Sequence, residues 1–312
     1  IVHRVTPLSP TAPSSLAKRC RKAGIPFVLG PLNGGLPWHP EFNRERLKER
    51  EWLSYVRKAY SFLPNIRATY REASAIIVGS RHTQQELSPH GRPLIYIPEN
   101  GIDTRKFSSN RNISEPRRIL RLIFIGRLVP YKGADIVLEA CANFLLSGQA
   151  HLDIIGDGPD MQNLHLLIEK LGLESSVTLH GWKSHELVAS SLRSADIMVF
   201  PSVREFGGGV VLEALASGVI PIVVDYGGPA EIVTRSCGFV VPIGSRSILK
   251  RRIEAVVGEI VEGKHDLKTM SAAASIRVEQ LYSWQAKAEQ IGSIYRWIIN
   301  SDGDPPIFQF FQ

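Results

Sequence analysis

Short apolar runs separated by polar, glycine-rich breaks recur along the chain, and their spacing predicts strands alternating with helices. Residues 25–29, 73–79 and 94–97 are apolar runs of strand length in the first third, and the opening Ile1-Val2-His3 reads as already inside a strand. Gly30-Pro31-Leu32-Asn33-Gly34-Gly35 closes the first of these runs with a loop rich in breakers, and Ser80 is placed to cap a helix through Leu87. From Leu120 the alternation becomes regular. Strands are expected at residues 122–125, 152–155, 177–179, 197–200, 219–224 and 238–241. Ile136, Val137, Ala140, Phe144 and Leu145 make a helical stripe after the first, and Met161, Leu164, Leu167 and Leu171 another after the second. Ser283 to Ile299 reads as a last helix. Such an order is that of a parallel, doubly wound sheet, whose ligands gather at the carboxyl ends of the strands. The loops after Ile125, Phe200 and Val224 are therefore expected to share one edge.

Residues 43–62 carry apolar positions at helical spacing among six Arg and Lys residues, which predicts a basic amphipathic helix. A solvated surface helix is the commoner fate of such a pattern, and attachment to an anionic membrane is the functional alternative. The polar, aperiodic stretch 108–118 is the expected linker between two domains. The tail after residue 301 offers no enzyme chemistry, and its phenylalanines are expected to pack on the surface.

Composition narrows the class. With 312 residues, 44% hydrophobic and 21% charged, the chain has room for two cores. No run is long enough to cross a bilayer, and Arg4, Pro7, Pro10 and Pro13 interrupt any leader-like stretch, so a cytoplasmic address is the default. The start without Met suggests a missing N-terminal portion. Three distant cysteines, Cys20, Cys141 and Cys237, support reduced, buried thiols rather than disulfides or a metal cluster. A net charge of +7 favours an anionic partner, and the absence of any supporting motif makes nucleic acid the weakest choice.

Chemistry concentrates in FPSVREFGGGVVLEALASG, residues 200–218, where Glu205 and Glu213 flank Gly207, Gly208 and Gly209. Glycines admit a ligand close to the backbone, and the amides at a helix start attract an anion. Glu213 lies among Val210, Val211, Leu212, Ala214 and Leu215, where a carboxylate needs a compensating partner such as a sugar hydroxyl. Arg127 and Lys132 follow another strand end and suit a diphosphate. Gly156-Asp157-Gly158-Pro159 lacks the third glycine of a dinucleotide fingerprint and reads as a strand-to-helix turn. His180 reads as a packed strand-end residue. There is no H-E-x-x-H metal spacing, no G-x-S-x-G elbow and no Walker A loop.

These residues together make the chain resemble the family four glycosyltransferases. The likeness spans about residues 100–299 and rests on Asn100-Gly101-Ile102-Asp103 with Phe107, on Gly126-Arg127-Leu128 with Lys132-Gly133, on the Glu205/Glu213 spacing, and on Gly227-Gly228 with Glu231. The resemblance implies an α/β protein of two Rossmann-like domains facing a cleft, the B-type architecture, with the first domain incomplete. Residues 1–110 would be the acceptor-side domain, 111–281 the nucleotide-sugar domain, and 282–312 a helix returning to the first domain, plus tail. It further implies a retaining transferase that uses a nucleotide-diphosphate sugar without a metal or other cofactor. A glycan or lipid-linked molecule would be the acceptor, in polysaccharide or glycolipid biosynthesis at the inner membrane face.

By the same resemblance Arg127 and Lys132 hold the diphosphate, Glu205 and Phe206 adjoin the transferred sugar, Gly207 to Gly209 offer backbone amides, and Glu213 meets the ribose. Phe206 directly follows Glu205, whereas many relatives place one residue between them. The family's functional histidine is replaced by the 30–35 loop, so no catalytic base is assigned, and Asn33, Gly34 and Gly35 are expected in the acceptor cleft. That replacement also motivates an alternative, a regulatory protein that binds nucleotide sugars without turnover.

Overall fold

The computed structural model describes residues 1–48, 63–88, 91–108, 119–300 and 303–310. The predicted helix at 43–62 is described only up to Lys48, and the linker at 108–118 lies almost wholly outside the described residues. Among the described residues, ten strands form two separate parallel sheets in two compact units.

The first unit comprises Ile1–Pro37, Arg46–Gly101 and Trp284–Gln312. Its strands β1 (Val2–Arg4), β2 (Phe27–Leu32), β3 (Ala75–Val78) and β4 (Leu94–Tyr96) lie in chain order. Every residue of β3 is buried, as expected of a parallel strand covered on both faces. Helices α1 (Ser15–Lys22) and α3 (Pro64–Glu72) pack side by side, and α4 (Arg81–Leu87) starts where predicted, the Ser80 hydroxyl accepting the Thr83 amide at 3.2 Å. Between α1 and α3 in the chain, α2 spans Asn43–Lys48, and its residues 43–45 are assigned to the second unit.

The last helix belongs to this unit. From this helix, α12 (Trp284–Asn300), the Lys287 ammonium donates to the Pro98 carbonyl at 2.8 Å. The tail does not merely lie on the surface: Phe310 is fully buried, its ring edge-on to Tyr96 at 5.4 Å and 5.1 Å from the Lys287 nitrogen. Burial lowers the Lys287 pKa to about 7, against a smaller opposing pull from Glu99.

The second unit comprises Trp38–Glu45 and Ile102–Ser283. Its six strands are β5 (Leu120–Ile125), β6 (Ala150–Ile155), β7 (Val177–Leu179), β8 (Ile197–Phe200), β9 (Ile220–Val224) and β10 (Phe239–Val241), ordered β10-β9-β8-β5-β6-β7. The order reverses between β5 and β8, which makes their carboxyl ends a topological switch point. Helices α5 (Ala134–Leu146), α6 (Met161–Leu171), α7 (His185–Ser194), α8 (Gly209–Ala216), α9 (Gly228–Ile232), α10 (Arg246–Val261) and α11 (Leu267–Leu281) belong to this unit. Helix α5 packs on α6 and α10, and α8 on α7 and α11.

The division falls at Gly101/Ile102 and again at Ser283/Trp284, where the Ile102 amide donates to the Tyr282 carbonyl at 2.9 Å and Ile102 bridges Ser283. It therefore precedes the expected boundary at 110/111, and a short segment, residues 38–45, belongs with the second unit rather than the first. All three cysteines are buried and free. Among the described residues no helix is long and apolar enough to cross a membrane.

Candidate functional site: the switch point of the second sheet

The loops after β5, β8 and β9 do share one edge, because those strands are neighbours. The loop after β5 is laced to the one after β6: the Leu128 amide donates to the Asp157 carbonyl at 2.9 Å, and the Asp160 amide to the Leu128 carbonyl at 3.1 Å. Glycines permit this approach, since a Cβ on Gly158 would stand 2.3 Å from the Leu128 carbonyl oxygen. Arg127 lines a pocket of 490 Å³ here, with Asp157, Trp182, Lys183 and Val188 among the other walls. Trp182 is 74% exposed on the wall of this pocket.

Lys132 stands beyond Arg127 on a 3₁₀ turn, just before Gly133 takes a left-handed φ of 76° and α5 begins. Its ammonium is ion-paired with Glu205 and lies 5.2 Å from the Phe200 ring centre. Backbone contacts hold the two loops together, the Val203 amide donating to the Tyr131 carbonyl at 3.0 Å. On its other side the Glu205 carbonyl accepts the Gly228 amide at 3.1 Å. A Cβ on Gly228 would lie 2.0 Å from the Phe206 carbonyl oxygen, so the pair Gly227-Gly228 is the packing partner of the Glu205 loop.

Of the three glycines, Gly208 is buried with φ +62° and starts α8, so its part is conformational; Gly207 and Gly209 remain partly accessible. Glu213 sits on α8, half-buried, with a carboxylate oxygen 3.9 Å from His185 Nδ1 on α7. Burial raises its pKa above the ordinary carboxylate range, and His185 partly offsets this. A raised carboxyl pKa costs stability above the folded pKa, and the cost is relieved as pH falls through it. Glu213→Gln is therefore expected to raise the melting temperature at pH 8 and to lose that advantage on acidification, as differential scanning fluorimetry across pH would measure.

Asn33, Gly34 and Gly35 fall in the first unit. The Asn33 amide donates to Glu99 at 2.6 Å, and the Gly34 amide to the Thr83 hydroxyl at 2.8 Å. His180 is tied to Asp153 at 2.7 Å, as a strand-end residue. Among the described residues no group of His, Cys, Asp and Glu is arranged to hold a metal.

Trp182, Lys183, His185 and Arg204 also stand at this edge, though no motif in the sequence marks them. The signal for Trp182 is an aromatic residue directly after a glycine at a strand's carboxyl end. Arg204 shows no such signal, because Trp38, whose ring centre lies 4.8 Å from its guanidinium, is distant in the chain and meets it only in the fold.

The family model described as glycosyl transferases group 1 matches residues 105–275, more than half of the chain. The chain belongs to that family. WcaL of Salmonella typhimurium, whose name assigns it provisionally to colanic acid biosynthesis as a glycosyltransferase, is 28% identical over 282 residues, covering 86% of this chain and 66% of its own. A GDP-mannose-dependent alpha-mannosyltransferase of Mycobacterium tuberculosis is 29% identical over 215 residues, covering 67% of this chain and 53% of its own. The chain thus spans somewhat less than two thirds of these relatives. Among solved structures, Anabaena HepE in complex with UDP superposes with a TM-score of 0.67 at 20% identity, covering 90% of this chain and 74% of that one. That likeness is one of fold: both are built from two Rossmann-like α/β domains.

Proposed function

We propose that this group 1 chain is a retaining glycosyltransferase that moves a sugar from a nucleoside-diphosphate sugar to a glycan or lipid-linked acceptor, in assembly of a polysaccharide or glycolipid. The observation that carries the reading is the Lys132–Glu205 ion pair at the switch point of the second sheet. Arg127 and Lys132 would neutralise the diphosphate as it leaves, where negative charge develops. Glu205 would exchange its lysine partner for sugar hydroxyls, and Glu213 would accept a ribose hydroxyl. The pocket beside Arg127, with the Trp182 indole and Lys183, suits the nucleoside end. Relatives named for colanic acid and mannosyl transfer, and solved neighbours holding UDP, support the same class. The chain would work on the cytoplasmic side, at the membrane surface where a lipid-linked acceptor lies.

A panel of UDP- and GDP-sugars tests this, with nucleotide release and the anomeric proton couplings of the product as readouts. One donor is expected to turn over with its anomeric configuration kept. Inversion would remove the retaining assignment, and failure of every donor to bind would remove the donor site. Because Arg127 and Lys132 do the neutralising, millimolar EDTA is expected to leave the transfer rate within about twofold; a tenfold fall restored by Mg²⁺ or Mn²⁺ would reassign that role to a metal.

A further inference from the structure

Residues 38–45 belong to the second unit and are anchored there at both ends. At the far end Phe42 is 1% exposed, and buried Glu45 pairs with Arg246 at 3.4 Å, which in turn is ion-paired with Asp135 at the start of α5. At the near end Trp38 and His39 meet the rim of the donor site. His39 lies edge-on to Tyr226, at 5.7 Å, immediately before Gly227-Gly228.

Trp38 touches both loops that supply the central ion pair. Its ring is edge-on to Tyr131, the neighbour of Lys132, at 5.8 Å, and it takes the Arg204 guanidinium, the neighbour of Glu205, on its face at 4.8 Å. Arg204 is 9% exposed and also lies over Phe206, 5.6 Å from its ring centre, so the residues on either side of Glu205 are stacked on one another, and Arg204 on Trp38 as well. A planar cation between two aromatic faces is a directional contact that aliphatic packing would not reproduce.

We infer that Trp38 is a positioning residue for the donor: it fixes the Lys132 and Glu205 loops relative to each other and so sets how the diphosphate-sugar portion is held. The strap 38–45 is then part of the donor site, although it lies some ninety residues before Lys132 in the chain. This rests on the donor-site reading above. The nucleoside pocket beside Arg127 shares no lining residue with the Trp38 stack.

Calorimetric titration of the 312-residue chain with UMP, UDP-glucose, GMP and GDP-mannose separates the two ideas. In Trp38→Ala, affinity for the bound nucleotide sugar is expected to fall about tenfold while the matching monophosphate stays within about twofold, and Trp38→Phe is expected to recover at least half of the lost affinity. Arg204→Lys, which keeps the charge but loses the plane, should resemble Trp38→Ala. If wild type binds none of the four, the donor-site reading and this one fall together. If wild type binds and Trp38→Ala binds both ligands equally well, only the positioning role falls. Equal weakening of both ligands with a lowered melting temperature would make Trp38 a structural residue and overturn the inference.

Discussion

Lys132→Ala is expected to lower sugar transfer by about 10²- to 10³-fold, the range seen when one preorganised donor to developing negative charge is removed. Two effects act together. On the proposed function the diphosphate would lose a cation placed at the switch point, and Glu205 loses its ion-pair partner in a site where both side chains are mostly shielded, at 14% and 22% exposure. An unpartnered carboxylate there would repel the phosphates that the lysine is proposed to attract. Lys132→Arg should keep the charge but not the fit in the cage of Phe200 and Tyr131, and should fall between the two. Single-turnover rates at saturating donor separate lost chemistry from lost binding. Unchanged rates in Lys132→Ala would remove the lysine from the mechanism.

Gly156→Ala is expected to destabilise the second unit by more than about 4 kcal/mol, in the range reserved for named structural failures. Its φ of +142° is open to glycine, and an added Cβ would stand 1.9 Å from the Gly126 carbonyl oxygen. Neither atom can move cheaply, because the Gly126 amide donates to the Ile155 carbonyl at 3.0 Å and the Gly156 amide to the Gly181 carbonyl at 2.9 Å. Gly148→Ala is the control. Gly148 also has a positive φ, +69°, but nothing lies within 4 Å of its missing Cβ, so only the left-handed backbone cost of about 1–2 kcal/mol remains. Urea unfolding of the three proteins measures the difference, and comparable losses in both variants would show that the contact with Gly126 does not matter.

Strands were readable where both faces are covered, since β3, β8 and β9 are buried at every position and appear as unbroken apolar runs. The first run misled at its start: Ile25 is 43% exposed and precedes β2, which instead continues through Pro31 to Leu32. Helix α10 is legible in Leu249, Ile253, Val257 and Ile260, all buried at helical spacing. Helix α11 is not, because its buried face includes Ser271, donating to the Gly218 carbonyl at 2.6 Å, and Arg277, donating to the Ile232 carbonyl at 2.9 Å. Polar groups satisfied by distant backbone conceal an inward face from any reading of hydropathy.

The site divides the same way. Lys132 and Glu205 announce themselves by residue type at strand ends, and the fold brings them into contact. Trp38 and Arg204 depend on a contact across 166 positions, which no local pattern encodes.

The burial of Phe310 bears on how the molecule is made. The first unit takes its opening strand from residues 2–4 and its last helix and final aromatic contact from residues 284–310. Residues 1–101 of this unit are made before most of the second unit, yet the unit is completed only by residues 284–310, after nearly all of the second unit is available to fold. Until Phe310 arrives, the Lys287 ammonium lacks its aromatic cover, and one unit stays unfinished while the other is being made.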